Sequence, residues 1–297
     1  MTDQADLTNP PAATSELAPA PGYEHVAQIE RHSVLAWPAT VVEQWSDGWI
    51  MRATPGLLGR GRSNHALTPA RPLDRREYDG ALERVCEFAS VNGIDCGVQV
   101  SPLEIHVPLL DELSGRGWNI QQAVVVMTGD TALVSDGFDP SFELFVSDHA
   151  TPEWIGAWRH CDNRPDVDEH VRTVFPRMAG MARFAHAGNR ACGISVELEG
   201  IVGLFCIAVS PDERRQGLGK KLVRGMLAGH SGSSLTYLQV FSENVAGLAL
   251  YESLGFFEEY RYCHCVLPGS VPHDAAGTAA GAAITAGGAA AASGDGR

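Results

Sequence analysis

Val209-Ser-Pro-Asp-Glu-Arg214-Arg215-Gln216-Gly217-Leu218-Gly219-Lys220-Lys221 decides the fold of this chain. A β-rich run, Ile201 to Val209, enters a turn at Pro211, and an amphipathic helix opens at the second of two spaced glycines. Glycine removes the side chains that would keep backbone N–H groups from converging on an anion at a helix N-terminus. Arg214, Arg215 and Lys220 add positive charge beside such a nest. The ligand this chemistry suits is a pyrophosphate. A nucleoside-triphosphate loop needs Gly-x4-Gly-Lys-Ser/Thr, but Arg214 stands at the first glycine and Lys221 follows Lys220. A dinucleotide fingerprint needs a third glycine where Leu222 stands. What remains is Arg214-x-x-Gly217-x-Gly219, or else a charged turn that merely starts a helix.

Downstream lies Leu238-Gln-Val-Phe-Ser-Glu-Asn244-Val-Ala-Gly-Leu-Ala-Leu-Tyr251-Glu-Ser-Leu-Gly255-Phe256. It reads as a strand and then a helix over 243–254, stopped by Gly255 in the left-handed conformation. Asn244 and Tyr251 are about two turns apart and share a helix face.

Both stretches resemble the GNAT N-acetyltransferases, in which Arg/Gln-x-x-Gly-x-Gly after a Val-x-Pro strand end is the acetyl-CoA motif. The resemblance implies an α/β (α+β) fold with a mixed central sheet flanked by helices. It implies acetyl-CoA as cosubstrate and no metal. Ile207, Ala208 and Val209 would lie along the pantetheine arm, pairing with it as an added strand. Arg214, Arg215, Gln216, Gly217, Leu218, Gly219 and Lys220 would hold the pyrophosphate, and Asn244 would contact the CoA arm. Tyr251 would protonate the departing thiolate, a role for a group whose pKa of about 10 keeps it protonated at neutral pH. The mid-strand glutamate common in these enzymes is absent, because Gly203, Leu204, Phe205 and Cys206 occupy the place. Glu199 acting through water is then the expected base, with Glu197 its neighbour; both could equally be solvated turn residues.

The order of elements divides the chain. Residues 1–22, rich in Pro, Ala, Thr and Ser, and 269–297, rich in Gly and Ala, are expected to be disordered tails. Residues 139–268 read as the catalytic domain: a strand at 143–147, helices at 152–161 and 166–175 with Thr151 as N-cap, and strands at 183–187, 191–199 and 200–209. The helix after the glycine motif buries Leu218, Leu222, Val223, Met226 and Leu227. Residues 23–138 read as a degenerate copy, with strands at 34–42, 48–53, 97–100 and 122–127 and helices at 78–91 and 107–113. This copy lacks both motifs, so a lid, a substrate wall or a dimer surface is its expected use.

The first half also resembles actinobacterial tandem GNAT proteins of the N-acetylglutamate synthase type, through Trp37-Pro38-Ala39, Trp45-x-x-Gly48-Trp49-x-x-Arg52 and Arg62-x-Asn64. That implies transfer to the α-amino group of L-glutamate, in amino-acid biosynthesis. Arg52, Arg60, Arg62, Arg159 and Arg172 are the candidates for its carboxylates. The motifs around Asn244 and Tyr251 are similar to mycothiol synthase too, and the missing glutamate leaves room for a non-catalytic acetyl-CoA sensor.

Composition bounds the partners. The 297 residues are 44% hydrophobic with a net charge of −14, which argues against nucleic acid and anionic membrane surfaces as partners. The seven cysteines are scattered through apolar runs, and the N-terminus lacks a signal peptide's apolar core. The expectation is therefore a cytoplasmic chain with unpaired thiols. Cys263-His264-Cys265 reads as strand alternation rather than a zinc site. The oligomeric state is left open, a homodimer included.

Overall fold

The structure, a computed structural model, describes residues 19–163, 166–230 and 232–270. The expectation of disordered tails falls mainly on residues 1–18 and 271–297, which lie outside the described residues. In chain order the elements are α1 (Glu24–Ala36), β1 (Val41–Gln44), β2 (Ile50–Ala53), α2 (Gly61–Asn64), β3 (Ala66–Leu67), α3 (Arg75–Asn92), β4 (Gly97–Val100), α4 (Val107–Gly115), β5 (Asn119–Ile120), β6 (Val124–Asp130) and α5 (Thr131–Ser135). They continue with β7 (Phe145–Ser147), α6 (Pro152–Asp162), α7 (Val167–Arg172), α8 (Phe175–Met178), β8 (Ala182–His186), β9 (Ala191–Leu198), β10 (Ile201–Val209), α9 (Leu218–Ala228), β11 (Leu235–Phe241), α10 (Val245–Glu252) and β12 (Phe257–Val266).

Local chemistry sets the helix ends. Asp74 and Glu77 form a reciprocal capping box at the start of α3, and Gly93 closes it at φ 63°. Thr151 accepts from the Trp154 N–H at the start of α6, as expected from the sequence. The apolar stripe of α9 is buried as the spacing predicts, through Leu218, Leu222, Val223, Met226 and Leu227.

One sheet runs through the described residues in the order β1-β2-β3-β4-β12-β6-β11-β10-β9-β8-β7, with β5 beside β12. β6 precedes the expected 138/139 boundary, yet it pairs antiparallel with β11 on one side and β12 on the other. β12 in turn pairs with β4 of the first half. Each half thus lays its last long strand against the other half's sheet. This sharing explains why β6 reads Val-Val-Val-Met: both its faces are covered.

The two faces carry different helices. α9 and α10 pack with Val202, Leu204, Leu238 and Val240 on one face. α1 and α6 to α8 pack with Ile201, Phe205, Tyr237 and Tyr262 on the other. Side chains alternate across a strand, so the parity of β10 and β11 assigns each residue to a face.

Two expectations are corrected. The strand read over 34–42 is instead the end of α1 followed by β1. The buried face of α1 includes Glu30, His32 and Ser33, and these polar residues break the apolar period that would have revealed a helix. Second, Cys86 on α3 and Cys96 before β4 form a disulfide, with Cα atoms 4.9 Å apart. The turn at Gly93 folds the chain back and brings them together. A bonded pair suits an oxidising milieu, so the cysteines no longer argue for a reducing compartment. Cys161, Cys192, Cys206, Cys263 and Cys265 take no part in a disulfide. Among the described residues no group of three or more His, Cys, Asp or Glu could hold a metal ion, and no helix is long and apolar enough to cross a membrane.

Candidate active site

The site begins where two parallel strands part. β10 and β11 pair only from Ile201 with Leu235 to Leu204 with Leu238. Beyond that point β11 stays bonded to β6 as far as Phe241, and β10 stays bonded to β9 as far as Val209. The separation has a local cause. A bulge interrupts the β9–β10 register between Phe205 and Ala208, and Cys206 sits within it at φ 51°. One extra residue on one strand bends and twists it away from its neighbour. The β11 side of residues 205–209 is left without a strand partner. Cys206, Ile207, Ala208 and Val209 are only half-buried, whereas residues 201–205 are buried.

At the open end of the gap lies the glycine loop. A 3-10 turn over Pro211–Glu213 is followed by Arg215 at φ 66° and Gly217 at φ 78°, with Gln216 between them. α9 then starts at Leu218. The first N–H groups of a helix have no intrahelical acceptor, so they face outward beside this turn. A side chain at Gly217 would meet nothing within 4 Å; the demand there is conformational. At Gly219 the demand is space, because a Cβ would stand 3.0 Å from Leu250 of α10. The Arg214 Nε donates to the Val209 carbonyl at 3.1 Å and ties the loop to the strand end. A cavity of about 260 Å³ opens beside the loop, with the carboxylates Asp139 and Glu143 as well as Arg190, Gln216 and Lys221 on its wall. Arg214, Arg215, Gln216 and Lys220 follow one another around this loop and into α9, and the loop leaves β10 directly after Ile207, Ala208 and Val209.

α10 borders the gap on the α9 face. Asn244 is its N-cap, its Oδ1 accepting from the Gly247 N–H at 2.9 Å. The helix is shorter at both ends than the 243–254 expected, and Gly255 adopts φ 96° after it. Tyr251 is 8% exposed and packs edge-on against Phe256 at 5.9 Å. Burial pushes its phenol up to about 12, so it keeps its proton across the physiological range.

Glu199 is not brought to this place. It occupies the two-residue β9–β10 turn with Gly200, both at positive φ, at the opposite end of β10 from the glycine loop. Leu204 lies five positions further along the chain, at most roughly 17 Å away. One bridging water cannot span that distance. Glu197 is held by the Ser233 hydroxyl and by His230 Nδ1 at 2.7 Å, and these contacts keep its carboxyl below the usual range. His230 Nε2 is bonded in turn to the buried Ser195 hydroxyl.

The arginines separate by their partners. Arg52 is buried and donates to the His65 carbonyl and to Gln99, beside the buried Glu30. Arg60 pairs with Asp166, Arg159 with Asp168 and Arg172 with Glu169. Arg62 alone of the five reaches the gap, donating to Gln239 at 2.7 Å. Gln239, Trp37 and Phe205 were not singled out as site residues from the sequence, and only the parity of β10 and β11 could have grouped the last with Gln239.

A sheet opened between two strands, with a glycine-led helix at the mouth and a capped helix carrying a buried tyrosine on one wall, defines a GNAT N-acetyltransferase. Residues 24–265 match the family described as "Probable histone acetyltransferase Rv0428c C-terminal", and the chain belongs to that family. It is similar to the "Uncharacterized N-acetyltransferase YobR" of Bacillus subtilis, 26% identical over 252 residues that cover 80% of this chain and 98% of that one. The "[Ribosomal protein bS18]-alanine N-acetyltransferase" of Escherichia coli is 47% identical over 57 residues, 18% of this chain and 38% of its own length. Among solved structures, a GCN5-related N-acetyltransferase from Kribbella flavida has the same fold at TM-score 0.59 and 16% identity, covering 82% of this chain and 94% of its own. A tandem GNAT protein from the clavulanic acid biosynthesis pathway does so at TM-score 0.52 and 14% identity, over 84% and 90% of the two chains.

Proposed function

We propose that the chain transfers an acetyl group from acetyl-CoA to the primary amine of a small molecule, with L-glutamate the first acceptor to test. The parting of β10 from β11 beyond Leu204 and Leu238 carries this reading. It leaves a strand edge at Ile207, Ala208 and Val209 that a pantetheine amide chain can pair with. The loop from Arg214 to Lys220 then receives the pyrophosphate on backbone N–H groups and positive charge. Asn244 lies along the same arm. A backbone N–H of Ile207, Ala208 or Val209 would polarise the acetyl carbonyl and stabilise the oxyanion.

The transfer balances as follows. The neutral amine nitrogen attacks the thioester carbon, the carbon–sulfur bond breaks, and the thiolate takes the Tyr251 proton. The amine's extra proton leaves to water, and Tyr251 regains a proton from water, so the sum is amide plus free thiol with the enzyme unchanged. Glu199 would have to act through a chain of waters, and Glu199→Gln tests it. We expect kcat to stay within about twofold, with a pH profile that follows the acceptor's own amine. A tenfold fall in kcat would instead assign the proton to Glu199.

Thiol release from acetyl-CoA by the purified chain, measured across amino acids, polyamines and a basic histone-tail peptide, tests the reading. Release that depends on a small amine supports it, with L-glutamate expected among the acceptors. Release with the peptide alone moves the acceptor class to protein, and tight acetyl-CoA binding without release to any amine marks a sensor.

A further inference from the structure

At the apex of the strand gap the first residues beyond the last β10–β11 pair are Phe205 and Gln239. Both face the α1 side of the sheet, away from Tyr251. One side chain from the first half touches both. The Arg62 guanidinium carbon stands 5.3 Å over the Phe205 ring and 5.4 Å over the Trp37 ring, and Arg62 donates to the Gln239 Oε1 at 2.7 Å. Gln239 is fixed in turn, donating to the Ser33 hydroxyl at 3.1 Å and accepting from the Tyr262 hydroxyl at 3.0 Å. The rings and the amide hold the guanidinium in place, but none of them is an anion.

The charge of Arg62 is the unusual feature. Every other arginine weighed as an acceptor ligand has a carboxylate beside it: Arg52 has Glu30, Arg60 has Asp166, Arg159 has Asp168 and Arg172 has Glu169. No salt bridge to Arg62 occurs among the described residues, and its Nε is shut away from solvent without a hydrogen-bond acceptor. Glu30, the buried carboxylate of this region, is committed to Ser101, Gln99 and Tyr260. A half-buried guanidinium without a counterion favours an anion beside it, and a planar carboxylate can meet its fork with two bonds.

We infer that Arg62 is the specificity-determining residue for the acceptor, pairing with a carboxylate carried by the amine so that the amine is presented at the apex of the gap. This deepens the acetyltransferase reading and rests on it. The acceptor class is then an amine bearing a carboxylate, and the first half of the chain supplies the residue that reads it. Hydrophobic rings above and an amide at the side set its geometry, so charge alone is not an equivalent replacement.

Glutarate and glutaramide, titrated into the full chain in the presence of CoA, test this without any need to know the acceptor. They match in length and differ in charge. The wild-type chain is expected to bind glutarate at least tenfold more tightly than glutaramide. Arg62→Met should abolish that difference while leaving the affinity for CoA unchanged, and Arg62→Lys should retain only part of it. Equal binding of the two probes by the wild-type chain overturns the inference, as does an undiminished preference in either variant. Should Arg62→Met fail to fold, the wild-type comparison and Arg62→Lys still decide. Absence of CoA binding is a separate result that defeats the acetyltransferase reading itself, whereas CoA binding with no glutarate preference defeats the role of Arg62 alone.

Discussion

Tyr251→Phe is expected to lower kcat by about a hundredfold while the affinity for acetyl-CoA changes by less than about twofold, the range in which a positioned general acid contributes. The substitution removes one oxygen from a buried ring that belongs to the apolar cluster of α9 and α10 and packs edge-on against Phe256. That hydroxyl has no hydrogen-bond partner among the described residues, so its loss leaves no donor or acceptor stranded. The variant should fold as the parent does. Steady-state kinetics with a thiol-trapping assay, together with calorimetric titration of acetyl-CoA, separate turnover from binding. Because burial raises the phenol to about 12, the wild-type rate should show no descending limb from this group below about pH 10. An unchanged kcat would remove Tyr251 from proton transfer.

Gly217→Val with Gly219→Leu is expected to weaken acetyl-CoA binding by a hundredfold or more. The two changes act differently. Gly217 has φ 78°, a left-handed conformation that a β-branched residue adopts only under strain. Valine there turns the peptide groups out of the arrangement that aims their N–H bonds at the ligand. Gly219 has no such backbone, but a side chain there runs into Leu250 and pushes α9 away from α10. Each single variant should weaken binding less than the pair. Circular dichroism guards against a general loss of fold, and Gly217→Ala should show an intermediate affinity, since alanine is strained there but not branched.

The parts of the fold that obey simple periods were legible. β4 was placed at its observed limits, β10 to within one residue, and α3, α4, α6, α9 and β11 were each found, because apolar spacing, caps and glycine stops agree in those stretches. α1 was not found, because Glu30, His32 and Ser33 lie on its buried face. Those residues bond to the joint between the halves: Glu30 to Ser101 and Tyr260, His32 to Tyr237. Their partners are remote in sequence, so a local window cannot see why polarity is tolerated there. The sharing of β6 and β12 between halves was hidden for the same reason. A repeat in sequence announces similar units and does not say which unit receives the last strand.

At the candidate site, the loop and α10 were legible because their demands are local: two spaced glycines after a strand end, and an asparagine and a tyrosine two turns apart; that Asn244 caps the helix rather than lying inside it was not. The α1 side of the gap was not. Arg62 stood in the sequence as one of five similar arginines, and only the pairing of the other four distinguishes it. Glu199 attracted attention as a carboxylate near the strand before the loop, yet that strand is long enough to carry its turn to the far end. Distance along the chain stood in for distance in space.

Calorimetric titration of acetyl-CoA into the purified chain, beside the Gly217→Val, Gly219→Leu variant, tests the central claim most directly. The account predicts saturable one-to-one binding to the wild-type chain, at least a hundredfold weaker in the variant while its circular dichroism spectrum is preserved. No binding by the wild-type chain, or equal binding by both proteins, would contradict it.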